Sequence, residues 1–347
     1  MRHTALAAVL LLLLAAPAEA QERCTEGQDV AADTHARVYA VKSRWYACDR
    51  ASARPIRLAG VRKGALARVK YPYAAVTTRD GRLRLFHVRD RSKAAMRIPG
   101  RVSDLVLTYD GVATVIAGGQ VLRMNAKGEV VKLDEGAITP GSLAGNENGT
   151  HLYWIKDGTA RSATFADPPD QELAARRAPH CGRPTAKGYV ADAGGWLVWD
   201  SADDEFFGCV NGRTRGPRFL GSDDFYGATI ASPFVALVLL GFSPYGSGSN
   251  EVVVYDLRDT AEDDFSGYSA HSWVSQLQVT NRGIAYIVEA GEVNIDGQVI
   301  GLPKLFRLDR LNRVTKLDAG AIAEGSMTLT PDTRRLYWTK DGVARTR

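Results

Sequence analysis

The chain repeats itself, and the repeat limits its fold more than any other feature. Residues 122–162 align without a gap on residues 306–346 at an offset of 184, with 18 of 41 positions identical. Lys132-Leu133-Asp134 recurs as Lys316-Leu317-Asp318, and Gly136-Ala137-Ile138 as Gly320-Ala321-Ile322. Leu152-Tyr153-Trp154 recurs as Leu336-Tyr337-Trp338, and Lys156-Asp157-Gly158 as Lys340-Asp341-Gly342. A repeat of this length dictates architecture, because repeated units bury their apolar faces against one another. It does not dictate chemistry.

The duplication extends beyond this block. The offset is 157 from Cys24 to Cys181, 161 from Cys48 to Cys209 and from Pro72-Tyr73 to Pro233-Phe234, and 172 from Val102-Ser103 to Val274-Ser275. An offset that only grows describes two homologous halves with insertions in the second. The insertions fall near 241–250, rich in Gly and Ser, and near 290–303, with Gly and Pro punctuation.

Short apolar runs bounded by Asp-Gly, Gly-Gly and Lys-Gly turns predict strands at 37–41, 45–48, 73–78, 83–88, 102–108, 112–116, 120–124 and 129–133. The apolar run 231–241 is too short to span a membrane and reads as one or two buried strands. Residues 169–178 have no apolar stripe and read as a linker. The first half divides into units near 28–59, 65–98, 102–134 and 141–165.

The first residues have the form of a secretory leader. Arg2 and His3 precede an apolar stretch over 4–16, and Ala18-Glu19-Ala20 is a cleavage site, so residues 1–20 are a signal peptide and the mature chain starts near Gln21. The remaining residues, shared among eight units, give about 41 each, close to the ~40–45 of a four-stranded propeller blade. The expected fold is therefore all-β. It is a β-propeller of about eight four-stranded blades, with seven as the next choice, formed by duplicating a four-blade half. Residues 21–347 form one domain, with halves at about 24–165 and 181–347 joined by 166–180. Radial repetition also protects sheet edges from pairing with other chains.

The segment 329–342 (LTPDTRRLYWTKDG) resembles the WD40-like repeat of secreted bacterial propellers of the TolB type, where a Ser/Thr-Pro-Asp-Gly turn precedes an apolar strand. Leu336-Tyr337-Trp338-Thr339 also resembles the YWTD repeat of lipoprotein-receptor propellers. Thr333 stands where the first pattern has Gly, and Lys340 where the second has Asp. The resemblance implies a propeller and no particular activity. Trp154 and Trp338, at equivalent places, are read as blade packing.

Export makes the cysteines readable. An even count in an oxidising compartment implies disulfides, and the duplication pairs Cys24 with Cys48 and Cys181 with Cys209, one bridge per half. Each closed loop would contribute roughly 3 kcal/mol in the chain-entropy model.

Charge is unevenly spread. Residues 21–165 carry 24 Lys+Arg against 14 Asp+Glu, whereas 166–347 carry 19 against 24. Between 42 and 101 there are 17 basic residues and three acidic ones, densest at Arg79, Arg82, Arg84, Arg89, Arg91 and Lys93. These six are the candidate polyanion patch. A solvated face in an arginine-rich chain is the competing reading, since Arg outnumbers Lys 33 to 11. In the second half Asp203, Asp204, Asp223, Asp224, Asp263 and Asp264 could hold Ca²⁺ if their loops converge, although none has EF-hand spacing. Calcium is the only cofactor suggested.

No G-x-S-x-G elbow, H-E-x-x-H or P-loop occurs, and Gly118-Gly119 sits in a turn rather than between a strand and a helix. The expected function is non-catalytic: a secreted or cell-envelope monomeric scaffold binding a protein or cell-envelope polymer, with no membrane span in the mature chain and nucleic acid disfavoured. The alternative is an extracellular propeller enzyme, a lyase or hydrolase on sugars or lactones, with residues gathered around a central channel.

Overall fold

The computed structural model describes residues 24, 27–51, 54–146, 148–166, 176–177, 186–200, 205–210, 213–220, 225–241, 249–258, 265–291 and 301–347. Within them the chain folds into antiparallel meanders, each strand pairing with the next in sequence. Four sheets at 28–57, 67–97, 102–135 and 144–164 make the first half, and four at 176–220, 225–270, 274–319 and 328–346 the second. Most are four-stranded; the fifth has an extra strand, and the fourth and eighth have three.

The expected unit limits hold, while several short strands lay outside the apolar pattern. Ala67–Lys70 and Lys93–Arg97 are strands despite alternating with cations, and Ile56–Arg57 is a two-residue edge. Arg176–Arg177 is also a strand, paired with Lys187 and Gly188 inside the segment read as a linker. Its neighbour supplies the pairing that its own sequence does not announce. The run 231–241 is divided at Ser232-Pro233, where Phe225–Ala231 ends and Phe234–Gly241 begins.

Strand alternation decides which side chains pack. In Arg82–His87, Leu83 and Leu85 join Leu105, Leu107 and Val115 of the third sheet. Phe86, on the opposite side, joins Val38, Trp45 and Val69 between the first and second sheets. Arg82 and Arg84 share the side of Phe86 but lie in the first half of the strand, where Arg82 is exposed and Arg84 half-buried. Similar layers join the third sheet to the fourth, the sixth to the seventh and the seventh to the eighth. Each fully buried Leu or Phe contributes about 1.5–3 kcal/mol relative to exposure.

The halves share devices as well as sequence. Asp33 accepts the N–H groups of His35 (2.8 Å) and Ala36 (2.7 Å) with one oxygen and that of Tyr71 (2.6 Å) with the other, tying the first sheet to the second. Asp192 does the same with Gly194 (2.8 Å), Gly195 (2.8 Å) and Ser232 (2.6 Å). Both segments so held lead into a cis proline, Pro72 or Pro233.

The fourth and eighth sheets, which carry the strongest repeat, pack on each other. Tyr153 and Tyr337 stack with centroids 5.4 Å apart and planes 11° from parallel. The Tyr153 hydroxyl is 2.7 Å from Thr339 Oγ1, and the Tyr337 hydroxyl donates to Ser142 O at 2.9 Å. Ala144–Gly145 touches Thr328–Leu329, and Thr159–Thr164 touches Val343–Thr346. Each element meets its own equivalent, so the contact is isologous, as across a two-fold axis. At the other end of the halves, the Arg50 guanidinium lies 4.7 Å over the Trp196 ring, bringing the first sheet to the fifth.

Cys24 and Cys48 form a disulfide with Cα atoms 6.2 Å apart. Cys209 is also disulfide-bonded. Its expected partner Cys181 lies outside the described residues, as do residues 1–20. Among the described residues no helix is long and apolar enough to cross a membrane.

Candidate functional site

Five loops of the first half converge at one end of its second, third and fourth sheets. They surround a cavity of about 1200 Å³. The connection from the first sheet to the second brings Arg62 and Lys63, the hairpin turn of the second sheet brings Arg79, and the next connection brings Arg101. Leu66, Ile98, Ile116 and Ile138 give it an apolar wall, and Thr77, Thr78 and Ser103 place hydroxyls along it.

Local hydrogen bonds hold these loops. The Arg79 N–H donates to Gly60 O (2.9 Å) and the Ala65 N–H to Arg62 O (3.0 Å), while Thr77 Oγ1 accepts the Leu66 N–H (2.9 Å). Asp104, buried behind the wall, accepts from the Gly141 N–H (2.8 Å) and the Ser103 hydroxyl (2.5 Å), which anchors the loop from the third sheet to the fourth. Gly118 has φ 56°, and a Cβ there would lie 2.1 Å from Pro99 O, so only glycine lets these two loops touch.

The electrostatics are one-sided. Arg62, Lys63, Arg79 and Arg101 are exposed, and none has an ion pair among the described residues. No carboxylate, imidazole or thiol stands among the described lining residues. The cavity can attract and hold an anion.

The structure divides the six sequence-predicted cations. Arg79 belongs to the cavity rim. Arg82, Arg84 and Lys93 line a depression of about 280 Å³ on the outer hairpin of the second sheet. Arg89 and Arg91 lie beyond the far end of that hairpin, with Arg54, around a depression of about 320 Å³. Asp80 reaches Arg82 at 3.1 Å and Arg84 at 3.6 Å. Charge density had pointed to the hairpin and passed over Arg62, Lys63 and Arg101. Their signal was position: each stands in a connection between units, where the loops of successive units meet.

The acidic candidates Asp203, Asp204, Asp223, Asp224, Asp263 and Asp264 lie outside the described residues. Among the described residues no group of three or more His, Cys, Asp or Glu side chains could hold a metal ion. Trp154 and Trp338 are buried, as read. Trp154 Nε1 donates to Asp134 at 2.8 Å, and Lys156 Nζ reaches the same carboxylate at 2.7 Å. Trp338, Asp318 and Lys340 repeat this at 2.9 and 2.7 Å. Burial raises both carboxyls, but the bonds from the lysine and the indole outweigh it and hold them below the usual carboxylate range.

No protein-family model and no curated protein matches the sequence. Solved structures of WD40 and β-propeller chains do. The β-propeller domain of Cps50 (Swd1) from Myceliophteria thermophila is 8% identical over 93% of this chain and 97% of its own, with a TM-score of 0.32. The C-terminal WD40 domain of Sif2 is 13% identical over 79% of this chain and 91% of its own, at 0.29. The tricorn protease is 13% identical over 93% of this chain, which spans 34% of that protein, at 0.30. Scores of this size carry no argument about activity or about how the sheets are arranged. The architecture rests on the sheets themselves.

Proposed function

We propose that this chain is an exported, disulfide-bonded scaffold that binds an anionic polymer in the first-half cavity and catalyses no reaction there. The eight sheets act as one propeller-like ring, its halves facing each other across the Tyr153–Tyr337 contact and meeting again at Arg50 and Trp196. One observation carries the reading: four exposed cations, without ion pairs among the described residues, surround one large cavity that has no carboxylate among its described lining residues. Unpaired like charges repel one another, and an anion that releases bound counterions relieves them. A wide cleft made by loops on a rigid sheet frame suits a polymer segment. The Cys24–Cys48 bridge supports export, because such bonds persist in oxidising compartments. A lyase or hydrolase would need a proton-transfer group at the cleft, so the lining favours binding.

The test is binding of polygalacturonate, with dextran as a neutral control, at low and high salt. The expected result is salt-sensitive binding of the acidic polymer alone, lost when Arg62, Lys63, Arg79 and Arg101 are together replaced by Gln. Equal binding by that variant, with an unchanged unfolding midpoint, sinks the proposal.

A further inference from the structure

The cavity does not end at its rim. Gly81 and Ile98 line it, and the next residue on each strand, Arg82 and Arg97, opens the outer hairpin of the second sheet. Arg82 lies opposite Arg97, Arg84 opposite Ala95, and Phe86 opposite Lys93, so the cations at 82, 84, 93 and 97 share one face. That face turns toward the first sheet, where the Arg84 guanidinium donates to Ala59 O at 2.9 Å. At the far end of the hairpin stand Arg89 and Arg91, with Arg54 of the first sheet across from them. The hairpin is about 20 Å long at the usual strand rise. Cations therefore continue from the cavity, along the groove over Arg82, Arg84 and Lys93 on the outer hairpin of the second sheet, to a second depression at the other end.

We infer that this groove is the continuation of the binding site and that its ligand is an extended acidic polysaccharide, long enough to occupy the cavity and the Arg89–Arg91 end at once. The inference rests on the proposed function of the cavity. Asp80 and Asp90 are the only carboxylates between residues 60 and 101. Asp80 pairs with Arg82 and Arg84 on the open surface, where such pairs are worth little and yield to a competing anion. Asp90 lies against His87. The groove also lacks what other polyanions use. None of the exposed large hydrophobic side chains falls between 42 and 101. It thus offers no platform on which bases would stack and no apolar anchor of the kind that fixes a protein partner. What it does offer is charge, mostly from arginines, whose planar forks match carboxylates.

The test uses the intact chain and a ladder of galacturonate oligomers from dimer to dodecamer. Binding is expected to tighten about tenfold once an oligomer is long enough to reach both ends, because the second contact becomes intramolecular. In the Arg89→Gln/Arg91→Gln variant, short oligomers should bind as in the wild type while the gain with length disappears. The salt dependence of the dodecamer should fall by up to about two in slope. If short oligomers bind and length brings no gain, the groove is not part of the site and the cavity reading stands alone. If no oligomer binds, both fall. If single-stranded DNA of matched charge binds as tightly as the dodecamer, the assignment to a polysaccharide is overturned.

Discussion

Trp154 with Asp134 and Lys156, and Trp338 with Asp318 and Lys340, make the same contacts to within 0.1 Å. The ends of the neighbouring sheets do not agree in this way. Arg101 on the cavity rim has Trp273 as its counterpart, at the offset that relates Val102 to Val274. Trp273 is half exposed and stacks on Tyr226 at 4.2 Å. Ala117 in the cavity wall has Glu289 as its counterpart, a buried carboxylate that accepts from the Tyr268 hydroxyl (2.6 Å) and the His271 N–H (3.1 Å). Arg62-Lys63 is matched at offset 161 by Asp223-Asp224, outside the described residues. The two halves keep one interior and differ at the ends of their sheets. Packing needs the first and any ligand meets the second, so Arg62-Lys63 against Asp223-Asp224 and Arg101 against Trp273 put a difference in charge where binding would occur.

If the interiors are equivalent, matched truncations should cost alike. Trp154→Ala and Trp338→Ala each remove a buried indole and leave a cavity, and each should lower stability by about 3–5 kcal/mol, measured by denaturant unfolding. A large loss in one half beside a negligible loss in the other would show that the two triads are alike only in shape.

Asp134→Asn and Asp318→Asn come next, at about 1–3 kcal/mol each, because a charge-assisted bond to the indole and one to the lysine are weakened together. The sign with pH follows from the carboxyls being held below their usual range. Their stabilisation is present above the unfolded carboxylate range and is lost as pH falls through the lower folded values. The asparagine variants should show a flatter loss of stability in acid than the wild type, in both halves. An acid limb as steep as the wild type's would mean that other carboxylates govern it.

The sequence carried the unit limits, the Cys24–Cys48 bridge and the burial of Trp154 and Trp338, since strand spacing and a fixed offset record local structure; that each indole shares a carboxylate with a lysine was visible only in the structure. It did not carry Lys93–Arg97, whose alternating cations look like loop, nor Arg176–Arg177, whose pairing belongs to its neighbour. The isologous contact of the fourth and eighth sheets was also hidden. A repeat says that two sheets are alike, and the geometry of their meeting lies in Tyr153 and Tyr337, which are buried against each other. Of the cavity rim only Arg79 was legible, because Arg62, Lys63 and Arg101 stand apart from it in sequence, whereas density along the chain favours the hairpin.

Exchanging residues between the two ends gives a smaller effect that bears on function. Arg101→Trp places the second half's residue on the cavity rim and removes one of four cations. It should weaken polygalacturonate binding about three- to tenfold at low salt and leave the unfolding midpoint near that of the wild type, as exposed single charges do. Trp273→Arg should leave that binding unchanged. If Trp273→Arg instead strengthened binding as much as Arg101→Trp weakened it, the second-half end would belong to the same site.

The smallest effect is expected at Arg50, where the first sheet meets the fifth. Its side chain is 6% exposed and lies 3.5 Å from Asp29, which Arg37 already holds at 2.5 Å. Burial lowers the guanidinium to about 10; Asp29 opposes the shift and the like charge of Arg37 adds to it. A base whose folded value lies below its unfolded one makes stability rise with pH between the two, so below about 10 the charge is a standing penalty. Arg50→Met keeps an unbranched stem against Trp196 and removes that penalty, while Arg37 still pairs with Asp29. Replacing a buried charge by an apolar group of similar shape is often neutral or stabilising. The variant should therefore fall within about 1 kcal/mol of the wild type, in contrast to the indole truncations. A loss of 2 kcal/mol or more would show that the Arg50–Trp196 contact, and not only the Tyr153–Tyr337 face, holds the halves together.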